Sequence, residues 1–457
     1  NVDERVQTFT SPLWLFVVAA FYRFTHEPYY TSLALSMCAG LVTFGLIGLR
    51  VAASNVLMVL ALGALLFSRA FVDFSTSGLE NPLTHLLLVL FLLAYWKAER
   101  GGSLSVPVMV AALLAITRPD ATLLVLPPLV LVAWRLRTRR ALLMAVLAAT
   151  PLVAWEVFSL IYYGFPFPNT AYAKLGSGTP LLTLVYHGVH YLIDSAAFDP
   201  VTPLVIALGI AVPWIEGAPE WAPALGTVLY LMYLVAIGGD FMSGRFLTAP
   251  LIWAILLVVR CRRPLLESQW PAALGVLLVA GLAAPHAVLS ANYQPGPAGE
   301  QVIRPSGVAD EWAYYYPSTG LLESPGRPWP RYVSATDGRA ASKAQDRLVV
   351  YAGIGMFGYY AGARVHVVDP LGLSDPLLAR LPALPHSRIG HFERTIPDGY
   401  LDTLRTGTNQ LTDPALAAYY DKLSLIVRGP IWSRARLMTI LWMNLGRYNY
   451  LLRGVKP

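Results

Sequence analysis

The chain has 457 residues, of which 56% are hydrophobic and 13% charged, with a formal net charge of +7 and a mean hydropathy of +0.52. A soluble domain carries about twice that charged fraction, so composition excludes an ordinary soluble protein. Much of the basic charge lies in short loops between apolar runs, where membrane proteins place it, so it does not argue for nucleic acid. Two cysteines, Cys38 in an apolar run and Cys261 in a basic loop, make no disulfide framework.

The first residues, NVDERVQTFTSPLW, read as neither a signal peptide nor a cytoplasmic leader, and no Met begins them. The expectation is a fragment lacking one N-terminal span and part of the first external loop. A spanning helix needs roughly 20 mostly apolar residues. By that rule, spans are predicted near 31–49, 54–72, 82–96, 104–117, 120–134, 141–162, 200–215, 222–238, 246–260 and 270–289. Two further apolar stretches, 12–25 with Arg23 and 181–193 with His187 and His190, read as helices lying in the membrane interface. Residues 290–457 read as an ordinary soluble sequence. The expected architecture is a polytopic α-helical membrane protein of about ten spans over 1–289, followed by an extracytoplasmic domain over 290–457. Within that domain RLVVY, a Gly-rich turn and VHVV predict strands joined by short helices, hence an α/β fold. LMTILWM at 437–443 is too short to cross a membrane and is expected to be a packed or interfacial helix.

Orientation follows from Lys and Arg. Alternate loops hold Arg50; Lys97 and Arg100; Arg135, Arg137, Arg139 and Arg140; then Arg260, Arg262 and Arg263. The loop EGAPE at 216–220, on the same side, holds none. The opposite side holds Arg23, Arg69, Arg118, Lys174 and Arg245, so ten against five makes the first set cytoplasmic and leaves 290–457 outside.

Other polar residues gather in four segments that this parity puts at the external face. They are Asp73 and Glu80 in FVDFSTSGLENP, Arg118 and Asp120 in TRPD, Asn169 and Lys174 in YYGFPFPNTAYAK, and Asp240 and Arg245 in GGDFMSGRF. Ionisable groups near hydrocarbon are costly and are functional candidates when they face one another. Each also has a structural reading. Glu80 can simply favour the positive end of the helix that Pro82 begins. Arg118 and Asp120 can pair at a hairpin. FPFPNT can be a rigid loop, with Lys174 reaching back to the interface. GGDFMSGRF is the least easily read as structure alone.

Further along, His187, His190 and Asp194 share a helical face that could hold a metal or could be the wet face of an amphipathic helix. Gly353, Gly355 and Gly358 spell G-x-G-x-x-G after the strand-like RLVVY, where a dinucleotide site would want an acid about 20 residues on, but the next apolar strand VHVV follows almost at once. Asp369 comes too soon, so a strand–turn–helix connection is the better reading. Trp312, Tyr314, Tyr315 and Tyr316 could stack on sugar rings or form domain core.

The stretches ERVQTFTSPLW, TSGLENPL, ITRPD, YYGFPFPNTAYAK, GGDFMSGRF, VHVVDPLGLSDPLLARLP and RIGHFER resemble the GT-C superfamily of membrane glycosyltransferases, and within it the AftB-type terminal arabinofuranosyltransferases. They spread over most of the chain. SGLE and RPD are common to many GT-C proteins, whereas FPNTAYAK, GGDFM and VVDPLGLSDP together are far more specific. The resemblance implies an enzyme of the plasma membrane that takes a sugar, by family likeness arabinofuranose, from a polyprenyl-phosphate donor to an envelope polysaccharide on the outer face. It also implies a catalytic Asp in a first external loop, upstream of Asn1. Such a transfer needs a base for the acceptor hydroxyl and cations or amides for the leaving phosphate. Asp240 and Glu80 are the catalytic candidates. Arg118, Asp120, Asn169, Lys174 and Arg245 are the substrate-binding candidates, with Lys174 and Arg245 facing the phosphate. No metal ligand set is assigned, and dependence on a divalent ion stays open. A transporter, or a polymerase or ligase using a polyprenyl-diphosphate donor, are the competing classes. A transporter would place its polar breaks at mid-membrane, often in repeats, neither of which is visible.

Overall fold

The computed structural model describes residues 1–136, 138–216, 221–260, 268–284, 302–321, 332–385 and 387–455. Arg137, residues 217–220 of the EGAPE loop, Cys261, Arg262, Arg263, the end of the span expected at 270–289 and the boundary expected at 290 lie outside the described residues. The described chain is mostly helical. It groups into two compact units, one made of Ser11–Val153 and Leu181–Trp312, the other of Asn1–Thr10, Ala154–Pro180 and Ala313–Pro457. They are called here the helical unit and the C-terminal unit.

In the helical unit the core follows two helices, Asn81–Glu99 and Thr248–Val258. Leu88, Val89, Phe91 and Leu92 of the first and Ile252, Trp253 and Ala254 of the second are fully buried. Pro82 occupies the first turn of Asn81–Glu99, where a missing N–H costs nothing. Small residues let backbones approach. At Gly226, a Cβ would stand 2.1 Å from the Leu124 carbonyl oxygen, so Trp221–Ala236 could not lie against Thr122–Arg135 with any other residue there.

Among the described residues, two helices are by length and composition long and apolar enough to cross a membrane, Pro28–Val51 and Asn81–Glu99. Three bent pairs bring the number to five: Asn55–Phe67 with Arg69–Ser75, Arg139–Ala148 with Thr150–Tyr162, and Leu181–Phe198 with Val201–Ala211. Ser105–Ala115, Trp221–Ala236, Arg245–Val258 and Trp270–Ala283 are apolar but shorter. The bends have local causes. Ser68 is extended and its hydroxyl accepts from the Phe71 amide, ending one helix and starting the next at 75°. Asp199 does the same at a 111° break, its carboxylate accepting from Thr202 N–H. Pro12–Thr25 is a separate 14-residue helix that exposes Leu15, Phe16, Phe21 and Phe24.

In the C-terminal unit, strand Leu348–Val350 pairs in parallel with His366–Val368. The crossover between them is helix Ile354–Ala361, entered through Gly353 at φ +80°. That is the strand–turn–helix use of the glycines. Helix Val333–Lys343 lies against the crossover helix. The main core joins Leu377, Leu378, Tyr400, Leu423 and Ile426 with Phe165 from far upstream. The first residues dock here too, since Arg5 N–H donates to Val427 and the Asn1 side chain pairs with the Val367 backbone. Arg436 is wholly buried and donates to the carbonyls of Ile161, Tyr162, Ile426 and Ile431.

Candidate active site

Five of the seven candidate residues form one connected network in the helical unit. Arg118 ends a helix, its N–H bonded to Leu114, and Pro119 begins the next turn, so Asp120 is turned back beside it. The guanidinium grips Asp120 through Nη2 at 2.6 Å and Nε at 3.2 Å and stacks over Phe246. Its Nε also lies 3.9 Å from Glu80. Glu80 in turn accepts from Arg245 Nη2 at 3.1 Å. Arg245 Nη1 lies 3.9 Å from Asp240 Oδ2. Glu80, Arg118 and Asp240 are each at most 5% exposed, so the charges interact with little screening.

Local sequence explains the placement. Gly238 and Gly239 both have positive φ, +88° and +75°, and a Cβ on Gly239 would stand 2.5 Å from the Tyr191 side chain. Only glycine can turn the chain there, and the turn aims Asp240 into the network. Asn81 donates to Thr248, and Thr248 donates to the Arg245 carbonyl, which ties the helix after Glu80 to the segment carrying Arg245.

Three carboxylates face two guanidiniums, and they are not equally engaged. Asp120 and Glu80 are hydrogen-bonded to arginine. Asp240 accepts from its neighbour Phe241 N–H through Oδ1, while Oδ2 is buried with no hydrogen-bond partner among the described residues. A buried carboxylate oxygen without a donor is costly, and Oδ2 is the acceptor in this network best placed to take a substrate hydroxyl. Among the described residues, Arg245 Nε has no hydrogen-bond partner and Nη1 reaches only Met242 Sδ at 3.7 Å, which leaves Arg245 spare donor capacity.

The remaining two candidates belong to the C-terminal unit, and they do different things. Asn169 is buried and its amide is spent on structure: Nδ2 donates to the carbonyls of Gly372 and Asp375, while Oδ1 accepts from Arg380. Asn169 therefore brackets the PLGLSD loop. Lys174, on the same short helix Asn169–Leu175, lies with Arg388 near the imidazole of His391. Arg388 Nη2 lies 2.8 Å from His391 Nδ1. Burial, reinforced by the Arg388 and Lys174 charges, holds the imidazole down at about 4, so it is neutral near pH 7.

Several site neighbours escaped sequence reasoning. The Tyr230 hydroxyl lies 2.9 Å from both Asp120 Oδ2 and the Phe246 carbonyl, and its one proton can serve only one of them at a time. The Tyr191 hydroxyl donates to the Met242 carbonyl, steadying the GGDFMSGRF turn. On the other side of that turn, Arg69 bonds Asp73 and Asp310 and, with Asp199, lines a cavity of about 10 Å³. In the C-terminal unit a larger cavity of about 530 Å³ is lined by Phe167, Tyr172, Arg380, Tyr419, Asn449 and Arg453 among others.

The other candidates resolve as follows. Asp194 bonds Arg304 and Ser306, and His190 bonds the Tyr186 carbonyl, so that helical face is tied to protein partners. No group of three or more His, Cys, Asp or Glu suited to a metal occurs among the described residues. Tyr314, Tyr315 and Tyr332 pack edge to face, and Tyr314 stays about half exposed, so this cluster is surface, not core.

Fold and site together define a helical protein of membrane character with a buried network of acidic and basic side chains beside apolar helices. Comparison with known proteins sharpens the class. Residues 326–400 match the AftB family C-terminal domain. The chain is 27% identical to the terminal beta-(1->2)-arabinofuranosyltransferase of Mycobacterium tuberculosis, over 87% of its own length and 78% of that protein's. It is 25% identical to the protein of the same name from Corynebacterium glutamicum, over 86% and 69%. The resemblance to the AftB-type enzymes thus extends over most of the chain. No solved structure matches.

Proposed function

We propose that this chain is a polytopic membrane glycosyltransferase of GT-C type. It moves a sugar, arabinofuranose on the names of its relatives, from a polyprenyl-phosphate donor to a cell-envelope polysaccharide on the outer face of the plasma membrane. The observation that carries the reading is the network itself. Glu80, Arg118, Asp120, Asp240 and Arg245 come from three separate segments and converge as one buried set, as expected of groups gathered for chemistry. The similarity to two named arabinofuranosyltransferases supplies the reaction class.

In this mechanism an acceptor hydroxyl donates its proton to Asp240 Oδ2, the buried oxygen with no donor among the described residues. The hydroxyl oxygen bonds to the anomeric carbon as the bond from that carbon to the phosphate oxygen breaks. Polyprenyl phosphate leaves with the electron pair. Arg245, which retains free donors, meets the developing phosphate charge, and Glu80 fixes the guanidinium plane. Arg118 and Asp120 neutralise one another and present their outer edges to the sugar hydroxyls. Within the C-terminal unit, Lys174 and Arg388 form a separate basic group suited to an anionic ligand. The ten spans, with the basic loops inside and residues 290–457 outside, remain part of the proposal.

The test is transfer from a synthetic polyprenyl-phospho-arabinofuranose to an arabinan oligosaccharide by the purified protein in nanodiscs, with the product linkage read by NMR. Absence of transfer with this donor, but turnover of the diphosphate analogue, would replace the reading with a polymerase or ligase.

A further inference from the structure

The end of the chain is unusual in charge. Residues 422–457 hold seven Lys or Arg and no Asp or Glu. Two of the seven are occupied inside the fold: Arg428 pairs with Glu4, and Arg436 is buried on backbone carbonyls. Arg434, Arg447 and Arg453 are exposed and form no ion pair among the described residues. The helix Arg434–Asn444 lies among them. It buries Arg436, Thr439, Ile440 and Met443. Its other face carries Leu437, Met438 and Leu441, which with Arg434 and Leu445 repeat at helical spacing, and these apolar side chains are 38–67% exposed. Trp432, 74% exposed, precedes the helix, and Tyr450, 60% exposed, follows it.

A soluble surface does not normally leave such a stripe bare. Its position in the C-terminal unit indicates what covers it. Arg436 Nη1 and Nη2 hold the carbonyls of Ile161 and Tyr162 at 2.8 Å, and Asn444 holds that of Gly164. Ile161 and Tyr162 end the helix Thr150–Tyr162, half of a bent apolar pair that passes for a membrane span. The stripe therefore lies at the point where an apolar helix ends, which is where a bilayer would have its surface. Apolar side chains flanked by Trp, Tyr and Arg, in a stretch from 422 to 457 that holds no Asp or Glu, match the interface of an anionic bilayer in both polarity and charge.

We propose that helix Arg434–Asn444, with Trp432 and the segment through Arg453, is a membrane-surface anchor that lays its Leu437–Leu441–Leu445 face into an anionic lipid leaflet. The proposal rests on the membrane placement given above. It adds a lipid contact made by the part of the chain that reads as soluble. The arginines engage lipid phosphates while the leucines and Trp432 enter the boundary between headgroups and acyl chains.

The test uses the full chain with Cys38→Ser and Cys261→Ser, carrying one environment-sensitive fluorophore on Leu441→Cys or, as a second site, Leu445→Cys. The protein is reconstituted in vesicles of phosphatidylglycerol and phosphatidylcholine containing a lipid quencher near the headgroup end of the acyl chain. Leu41→Cys, on the exposed face of Pro28–Leu46, reports membrane insertion, and Asp402→Cys, exposed in the C-terminal unit, reports water. Loss of most of the emission at 441 and 445, none at 402, and weaker quenching in phosphatidylcholine alone or after Arg434→Glu with Arg447→Glu, is the expected result. Quenching at 41 by a deep quencher, with 441 and 445 behaving like 402, would overturn the anchor and leave the membrane reading intact. Blue-shifted emission at 441 without lipid quenching would also overturn it, since a protein surface would then cover the stripe. No quenching at 41 would remove the membrane reading, and the anchor with it.

Discussion

Arg245 Nη1 stands 3.9 Å from Asp240 Oδ2, near enough to face the carboxylate and too far to bond it. The same guanidinium is hydrogen-bonded to Glu80 at 3.1 Å. One cation thus anchors one acid and leaves the other available.

Asp240→Asn keeps the size of the side chain and removes its basicity. If Asp240 takes the acceptor proton, turnover falls by about 10²–10⁴-fold. The KM for the donor and the melting temperature should stay near those of the parent. A loss confined to KM would show that Asp240 binds substrate without accepting its proton.

Arg245→Ala and Lys174→Ala should separate stability from donor use. Removing Arg245 strands Glu80 and Asp240 in a buried setting, at a cost of about 3–5 kcal/mol, read as a lower melting temperature in detergent. Lys174 is partly exposed, and Lys174→Ala should raise donor KM with little thermal effect. Glu80→Gln should destabilise like Arg245→Ala, because both arginines of the network lose a carboxylate.

Gly239→Ala would place a Cβ 2.5 Å from the Tyr191 side chain in a backbone conformation that alanine resists. Strain of this kind costs on the order of 1–3 kcal/mol, and the turn that carries Asp240 should yield first. Activity should therefore fall further than thermal stability does. Equal losses of both would mean that the strain spreads through the helical unit.

His391 gives a pH signature in the C-terminal unit. Unfolded, it takes a proton below about 6.5; folded, it resists until about 4. Its contribution is complete above pH 6.5 and is lost as pH falls to 4, so stability declines over that window. Asp375 acts in the opposite sense. Burial, with Glu4 nearby, pushes it up to about 7, so its contribution declines as pH rises from about 4 to 7. Comparing the parent with His391→Gln subtracts the Asp375 effect. The difference in melting temperature should shrink steadily from pH 6.5 to 4, and a flat difference would contradict the burial of a neutral imidazole.

The helices were legible because apolar runs and their polar interruptions are written directly in the sequence. Pro82 and Pro119 mark where two of them begin. The convergence of Glu80, Arg118, Asp120, Asp240 and Arg245 was legible for an energetic reason, since charges at the ends of apolar helices need one another. Tyr191 and Tyr230 were not legible, because an aromatic inside an apolar run gives no sign that its hydroxyl serves a buried network. Asn169 was misleading in a different way. A polar residue in a Pro-rich loop looks available, but its amide is consumed by carbonyls some 200 positions later in the chain. Arg388 lay inside a stretch that carried the family resemblance, yet nothing local linked it to Lys174. The assembly of 1–10 and 154–180 with 313–457 was likewise invisible, because long-range packing leaves no periodicity behind.

Arg436 donates to Ile161 and Tyr162, residues made 275 and 274 positions earlier. At a synthesis rate of about 5–20 residues per second, those carbonyls wait on the order of tens of seconds for their donor. The 154–180 segment therefore leaves the ribosome long before the residues that complete its core exist. A nascent chain halted at position 430 would carry helix Thr150–Tyr162 with its end unfastened. Arg436 acts in this sense as a latch on the timing of assembly.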